Sequence, residues 1–381
     1  MTRVCFLLAK DPVREHGGDL ATSRVMMQLA AQAFDVSAIC LAANDGTDGQ
    51  LPAGCRELVR VPKPTVAPAR LLRGSVRSRR SLVHERFDVD ALLPAIEAAD
   101  ADVFVAEHSY MAETFLRSRK HGATPLIVNT INTESQVWLA TRGVLGRVEA
   151  PRILRDEVRV ARAADAVGTY DADEAQFYRD REVPAARWMD LTFPPESQLD
   201  ISATGRRLVF FGRRDWPPNQ EGFLKSLELW PRISAGIPDA ELWVVGEKKP
   251  GAKDPSYPTG VHDVGFVPDL PAFLGTCRGL MAPIRTGGGV RAKLLEAASR
   301  GLPVVGTTAA IGSHGPLFGL ATYDDDDALI AQCRRLLLDR PAAVAAGHDL
   351  YERNRLHWGD GRPQRSVQEL LSVGAARWSS T

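Results

Sequence analysis

The chain has 381 residues, enough for two ordinary domains that each bury a core of their own. Hydrophobic residues make up 44% and charged residues 25%, a globular composition that argues against long disordered tracts. Lys plus Arg and Asp plus Glu stand at 47 each, so no global field draws the molecule to nucleic acid or a membrane, and any electrostatic targeting has to be local.

In chain order, "RVCFLLA" reads as a buried parallel strand, "KDPVREHGGD" as a loop and "LATSRVMMQLAAQAF" as a helix. "DVSAICLAA" is the next strand, which completes a doubly wound unit with a glycine loop at its first turn. "ADVFVAEHS" and "PLIVNTINT" continue the strands, and "AADAVGTYDADEAQFY" supplies a short strand and a helix start. Residues Trp188 to Arg206 are rich in Pro, Ser and Thr with little periodicity and read as a linker. The alternation then restarts with strands at "RLVFFG", "AELWVVG", "GVHDVGFV", "GLMAPI" and "LPVVGT", and helices at "NQEGFLKSLELWPRI", "LPAFLGTC" and "GVRAKLLEAASRG". Two successive α/β halves follow.

Cys5, Cys40, Cys55, Cys277 and Cys333 are scattered with no C-x-x-C pair, which points to reduced thiols in a cytoplasm and away from a zinc site or a disulfide framework. "VCFLLA" is too short for a signal-peptide core, and no apolar run approaches the ~18 residues that span a bilayer. A cytoplasmic protein, at most peripheral at the inner face of the plasma membrane, is expected.

In "GLMAPIRTGGGVRAKLLEAASRG" a strand ends near Ile284, and Gly287, Gly288 and Gly289 fall between it and a helix. Parallel sheets bind ligands at the carboxyl ends of their strands. Free amides and the positive end of a helix dipole favour an anion there, and glycine lets the backbone approach phosphate oxygens. Glu296, two turns beyond Gly288, is placed to accept hydrogen bonds from a ribose diol. "DDDD" at Asp324 to Asp327, just before a helix, reads as a solvated cap.

"RLVFFGRRDWPPNQEGF", "AELWVVGE", "VHDVGFVPDLPAFL" and "APIRTGGGVRAKLLEAASRGLPVVGT" together resemble, in order and spacing, the C-terminal domain of retaining nucleotide-sugar glycosyltransferases of the GT-B fold, family four. The resemblance extends upstream through "HGGD", "ADVFVAEHS" and "NTINTES". It implies two Rossmann-like, doubly wound α/β domains facing across a cleft. Residues 1–190 would take the acceptor, 191–360 the nucleotide sugar, and a C-terminal helix within 361–381 would cross back to the N-terminal domain.

By that resemblance Glu296 holds the donor ribose, as the second glutamate of the family's Glu-x7-Glu motif. Gly288 stands where the first glutamate, a donor-sugar contact, is expected. Gly287, Gly288, Gly289 and Val290 would offer amides to the diphosphate or sugar, and Arg213 matches the diphosphate-binding arginine. The lysine that usually follows is absent from "PPN", which leaves Arg214 or Lys293 to supply its charge. Gly17 and Gly18 match the N-terminal glycine loop, and His108 matches a histidine at the reaction centre.

The resemblance further implies front-face transfer with retention, in which the leaving diphosphate takes the acceptor proton. Arg213 and the glycine-loop amides would stabilise its growing charge. No metal and no cofactor is expected; the nucleotide sugar is a substrate.

Between Pro62 and Phe87, Lys63, Arg70, Arg73, Arg77, Arg79, Arg80 and Arg86 stand against a single acid, Glu85, and are interleaved with Leu71, Leu72, Val76, Leu82 and Val83. Such a segment suits an anionic membrane surface and a glycolipid acceptor, or else is a solvated basic helix. The Ala-, Arg-, Gly-, Asp- and Val-rich, Lys-poor composition resembles that of high-GC actinobacteria. With the basic segment, it gives a resemblance to α-mannosyltransferases that move mannose from GDP-mannose onto phosphatidylinositol mannosides. A UDP-sugar-dependent transferase acting on a soluble glycan or metabolite, and a catalytically silent sugar-nucleotide-binding protein, stand as alternatives. Nucleic acid is not expected as a partner.

Overall fold

The computed structural model describes residues 1–43, 51–248 and 251–378, with side chains through residue 373. It divides into two compact units: Met1–Leu191 with Gly288–Val290 and Gly361–Thr381, and Thr192–Gly287 with Arg291–Asp360.

In the first unit β1 (Arg3–Leu8) is buried at every position but its first, as a strand covered on both faces has to be. It is followed by α1 (Gly18–Ala30), β2 (Asp35–Ala42), β3 (Cys55–Pro62), α2 (Pro68–Ser78), α3 (Leu82–Phe87) and α4 (Leu92–Ala98). Then come β4 (Val103–Glu107), α5 (Ala112–Leu116), β5 (Leu126–Thr130), α6 (Glu134–Thr141), α7 (Gly143–Ala163), β6 (Ala166–Thr169), α8 (Ala172–Arg179) and β7 (Ala186–Trp188). The sheet runs β3-β2-β1-β4-β5-β6-β7 with every neighbouring pair parallel. Val4 pairs with Val36 on one side and Val103 on the other, so the strand order reverses between β1 and β4. That switch point, at the carboxyl ends of the two strands, is where an open α/β sheet forms a crevice. The C-terminal helix (Arg362–Trp378) belongs to this unit, and Ser366 Oγ accepts from Asp190 N at 3.1 Å.

The second unit contains β8 (Arg207–Phe211), α9 (Pro217–Ser234), β9 (Glu241–Val245), β10 (Val261–Gly265), α10 (Leu270–Leu274), β11 (Gly279–Ala282), α11 (Ala292–Arg300) and β12 (Val304–Gly306). The short α12 (Thr308–Ile311) and α13 (Gly315–Phe318) follow, then α14 (Asp326–Leu338) and α15 (Arg340–Gly359). The strand order is β10-β9-β8-β11-β12, again all parallel, with its reversal between β8 and β11. Phe210, Phe223, Trp230, Leu242 and Leu280 form the centre of its core.

Several elements were not assigned from the sequence, among them α4 and the 20-residue α15. β3 is a half-buried edge strand and β7 has three residues, so neither carries a full apolar run. The stretch 134–163, not assigned from the sequence, is the helix pair α6–α7. All five cysteines are buried and free. Asp325 caps α14 by accepting from Ala328 N at 3.0 Å, while Asp326 pairs with Lys225 and Arg285 at 2.7 Å each. Among the described residues no helix is long and apolar enough to cross a membrane.

Candidate functional site

In the first unit the loop after β1 and the turn after β4 meet at the switch point. Gly17 is the N-cap of α1, which Gly18 begins, and Asp19 in the first turn pairs with Lys10 Nζ at 2.6 Å. Burial works against the Asp19 carboxylate, but Lys10 outweighs it and holds the group below the usual carboxylate range. His108, one residue past β4, has φ 79°, a left-handed conformation that is strained for a residue with a Cβ. Its backbone N–H donates to Asn129 O at 2.8 Å, its ring stacks on Tyr110 with centroids 4.7 Å apart, and burial pushes its pKa down to about 4. A neutral imidazole at this switch point can accept or donate a hydrogen bond without bringing a charge.

Beside it, Glu107 is fully buried and accepts from Ser23 Oγ at 3.0 Å and Asn129 Nδ2 at 2.9 Å. Burial pushes its pKa up to about 7. A small cavity of about 10 Å³ is lined by Lys10, Asp19, Ser23, Glu107 and His108 among others. Sequence reasoning singled out Gly17, Gly18 and His108 but not Glu107, Lys10 or Asp19. The signal was a glutamate closing an otherwise apolar strand.

Gly288–Val290 is grouped with the first unit, and its contacts there explain two of the three glycines differently from a phosphate cradle. Gly289 N donates to Glu174 Oε1 and Val290 N to Ile131 O, both at 2.9 Å. Gly289 has φ 68°, and a Cβ on it would run into the Ile131 carbonyl, while a Cβ on Gly288 would meet the Glu174 carboxylate. The amides of Gly289 and Val290 are therefore engaged by protein atoms, not free as the sequence suggested.

In the second unit the loop after β8 and the start of α11 form a second constellation. Lys293 Nζ donates to Asn219 Oδ1 at 2.5 Å, and Asn219 Nδ2 donates to Arg213 O at 2.8 Å. A Cβ on Gly212 would fall 2.8 Å from both Lys293 Nζ and Asn219 Nδ2, so this close approach requires glycine. Loss of hydration lowers the Lys293 ammonium to about 8. Arg213, half-exposed, pairs with Asp215 at 2.7 Å. It lines an open pocket of about 550 Å³ with Asp215, Glu247, Lys248, Gly265 and Phe266, at the carboxyl ends of β8, β9 and β10. Glu296 lies one turn along α11 from Lys293 and pairs with Arg300 at 2.9 Å.

Between Arg214 and Lys293 the geometry distinguishes. Arg214 is buried and holds Asp263 through both guanidinium nitrogens, at 2.7 and 2.9 Å, and donates to Gly246 O at 2.9 Å. It ties the loop after β8 to the strands beside it, whereas Lys293 reaches the Arg213 loop.

Of the arginines assigned to an acceptor or membrane surface, Arg70, Arg73, Arg77 and Arg79 are exposed. Arg80 is turned inward instead, with Nη1 on Asp88 at 2.5 Å and Nε 3.4 Å from Glu113. The fully buried His84 meets the same Glu113 at 2.6 Å. Arg80 thus anchors the segment rather than forming its outer face.

Residues 205–339, most of the second unit, match the family model described as Glycosyl transferases group 1. Among solved structures, sucrose-phosphate synthase from Thermosynechococcus elongatus aligns with TM-score 0.75 at 16% identity, covering 99% of this chain and 100% of that one. HepE of Anabaena, solved with UDP and glucose, aligns with TM-score 0.66 at 15% identity over 97% and 99% of the two chains. WaaG, a glycosyltransferase involved in lipopolysaccharide biosynthesis, aligns with TM-score 0.65 at 15% identity over 96% and 99%. The fold is GT-B. No curated protein matches the sequence. The matched segment contains Glu296 and the linked Arg213, Asn219 and Lys293, which stand in the loop after β8 and at the start of α11.

Proposed function

We propose that the chain is a retaining glycosyltransferase whose second unit binds a nucleotide-sugar donor. The observation that carries this is the placement of Arg213 and Lys293 at the β8–β11 switch point, within the segment that matches the group 1 glycosyltransferase model. Two cations and the N-terminus of α11 suit a diphosphate leaving group. Glu296 takes the ribose, and the open pocket bounded by Glu247, Lys248 and Phe266 takes the base. Gly287 and Gly288 offer amides to the diphosphate or sugar. In the first unit Gly17, Gly18 and the neutral His108 serve the sugar and the acceptor.

Transfer proceeds with retention: the anomeric carbon–phosphate oxygen bond breaks, the acceptor oxygen bonds to the same face, and the acceptor proton passes to the departing diphosphate. Stabilisation of charge on that diphosphate by Arg213 and Lys293 is the main catalytic contribution of the protein. His108 is placed near the sugar, and neither nucleophilic side chain nor metal takes part.

The specific reading is α-mannosyl transfer from GDP-mannose to a phosphatidylinositol-mannoside-type glycolipid, met at an anionic membrane surface by Arg70, Arg73, Arg77 and Arg79. Its support is the resemblance given by composition and the basic segment, and the exposure of those four arginines on and beside α2. A UDP-sugar donor is the second reading, favoured by the complexes of HepE with UDP and glucose and with UDP-glucose. Donor hydrolysis with GDP-mannose and UDP-glucose in parallel separates the two. Hydrolysis of either, lost in Arg213→Ala and Glu296→Ala, supports the transferase; hydrolysis of neither by the wild type leaves a silent binding protein.

A further inference from the structure

The turn between α6 and α7 leaves an aliphatic face uncovered. Leu139 near the end of α6, and Val144, Leu145 and Val148 at the start of α7, are exposed, Val144 at 76% and Val148 at 60%. Val144 and Val148 are one helical turn apart and Leu145 adjoins them, so the three share a side of the helix. From Ser135 through Val148 the sequence contains no acid, and its charged residues are Arg142 and Arg147. Gly143 has φ 54° at the turn, and Gly146 packs closely enough that a Cβ on it would run into the Trp138 carbonyl.

α2 repeats the pattern. Leu72 and Val76, one turn apart, are 56% and 67% exposed amid Arg70, Arg73 and Arg77, and no acid occurs from Pro62 through His84. The two segments are joined within the first unit. Arg152 Nη2 donates to Ser75 Oγ at 2.8 Å and Arg80 O at 2.6 Å, Leu82 N donates to Glu149 Oε2 at 2.8 Å, and Arg155 donates to Arg79 O. Val76 adjoins Ser75, and Val148 lies one turn before Arg152. Both exposed aliphatic pairs therefore flank one junction.

Beside α2 one acid lies among the arginines, Glu85, whose carboxylate accepts from Ser78 Oγ at 2.7 Å, so the excess of positive charge beside the exposed aliphatics narrows the choice of occupant. A second copy of this chain would set arginines against arginines. An acidic soluble protein would need an apolar centre rimmed by acids that fits both the α6–α7 turn and α2, and its binding would leave the chain unable to float with vesicles. An anionic bilayer answers both, with phosphates for the guanidinium groups and the headgroup–acyl boundary for the aliphatic side chains. We propose that the α6–α7 turn and the outer face of α2 together form a docking surface for an anionic lipid bilayer, into whose interface Val144, Leu145 and Val148 insert. This deepens the membrane-acceptor reading of α2 and rests on it; donor binding does not depend on it.

The test is flotation of the full chain with phosphatidylcholine vesicles, with and without phosphatidylglycerol, comparing wild type with Val144→Asn/Leu145→Asn/Val148→Asn. The wild type is expected to float with the anionic vesicles only. The triple variant is expected to lose roughly tenfold or more of that partition, with an unchanged unfolding midpoint showing that it folds. A triple variant that floats like the wild type overturns the insertion while leaving α2 as the membrane contact. A wild type that ignores anionic vesicles overturns both. In a second variant, Val144→Trp, the added indole is expected to be quenched by brominated lipid, and quenching no greater than that of the wild type overturns the proposal independently.

Discussion

Lys293 and Asn219 lie 74 positions apart in sequence and meet at 2.5 Å, under a backbone turn at Gly212 that has no room for a side chain. Asn219 also holds the carbonyl of Arg213, so one amide orients the loop and the lysine together. The lysine expected a few residues after Arg213 is missing from the sequence, and a cation from α11 stands at the same turn.

Gly212→Ala tests this packing. The methyl group would press on Lys293 Nζ and Asn219 Nδ2 at a backbone φ of 144°. A loss of about 1–3 kcal/mol in unfolding free energy is expected, together with a fall in nucleotide affinity. Denaturant unfolding and nucleotide titration of the same variant read the two effects.

Lys293 predicts a pH dependence. Its ammonium titrates near 8 in the free protein, and a bound diphosphate would raise that value. Nucleotide affinity should therefore be full below about pH 8 and decline as pH rises through and beyond it, toward tenfold per unit until the bound-state value is reached. In Lys293→Met the affinity is lower at pH 7 and that decline is gone. Calorimetric titration between pH 6 and pH 10 checks both.

Glu107 predicts a stability effect of defined sign. Its folded pKa is raised by burial to about 7 from an ordinary value of 4.5. The native state thus binds more protons than the unfolded state between those values, and stability falls as pH rises from about 5 to 7. Glu107→Gln removes the ionisation and should be stabilised relative to wild type at pH 8, by up to a few kcal/mol (about 1.4 per pKa unit). Unfolding midpoints at pH 5 and pH 8 should show the wild type losing more than the variant.

Arg214→Ala should destabilise the second unit severely, because Asp263 would lose its bidentate partner in a buried site. Breaking one side of a buried pair costs about 3–5 kcal/mol. Arg213→Ala, at a half-exposed pair with Asp215, should barely move the unfolding midpoint while lowering nucleotide affinity about ten- to hundredfold. The opposite behaviour of these neighbours is the check.

The doubly wound pattern of both halves was legible because buried parallel strands such as "VCFLL" and "LVFF" are unbroken apolar runs. β3 escaped notice because an edge strand is only half covered, and α6–α7 because Gly143, Gly146 and Pro151 interrupt the helical pattern. Among the candidate site residues, Arg213, Glu296 and His108 were singled out through local motifs. Glu107 was not, since its meaning comes from Ser23 and Asn129 on other elements. Nor was the choice between Lys293 and Arg214, which only their partners decide. The glycine run was read as a phosphate cradle, yet Gly288 and Gly289 are confined by Glu174 and Ile131, contacts that a sequence does not display.

Thermal unfolding of the purified chain with UDP, GDP and ADP in turn, each at about a hundredfold excess over its dissociation constant, tests nucleotide binding by the second unit most directly. A ligand bound only by the folded state should add about 2.7 kcal/mol. The expected result is a clear upward shift with UDP or GDP, abolished in Arg213→Ala/Lys293→Met, the responding base naming the donor. No shift with any of the three, in a chain that unfolds cooperatively, would contradict a nucleotide-sugar transferase.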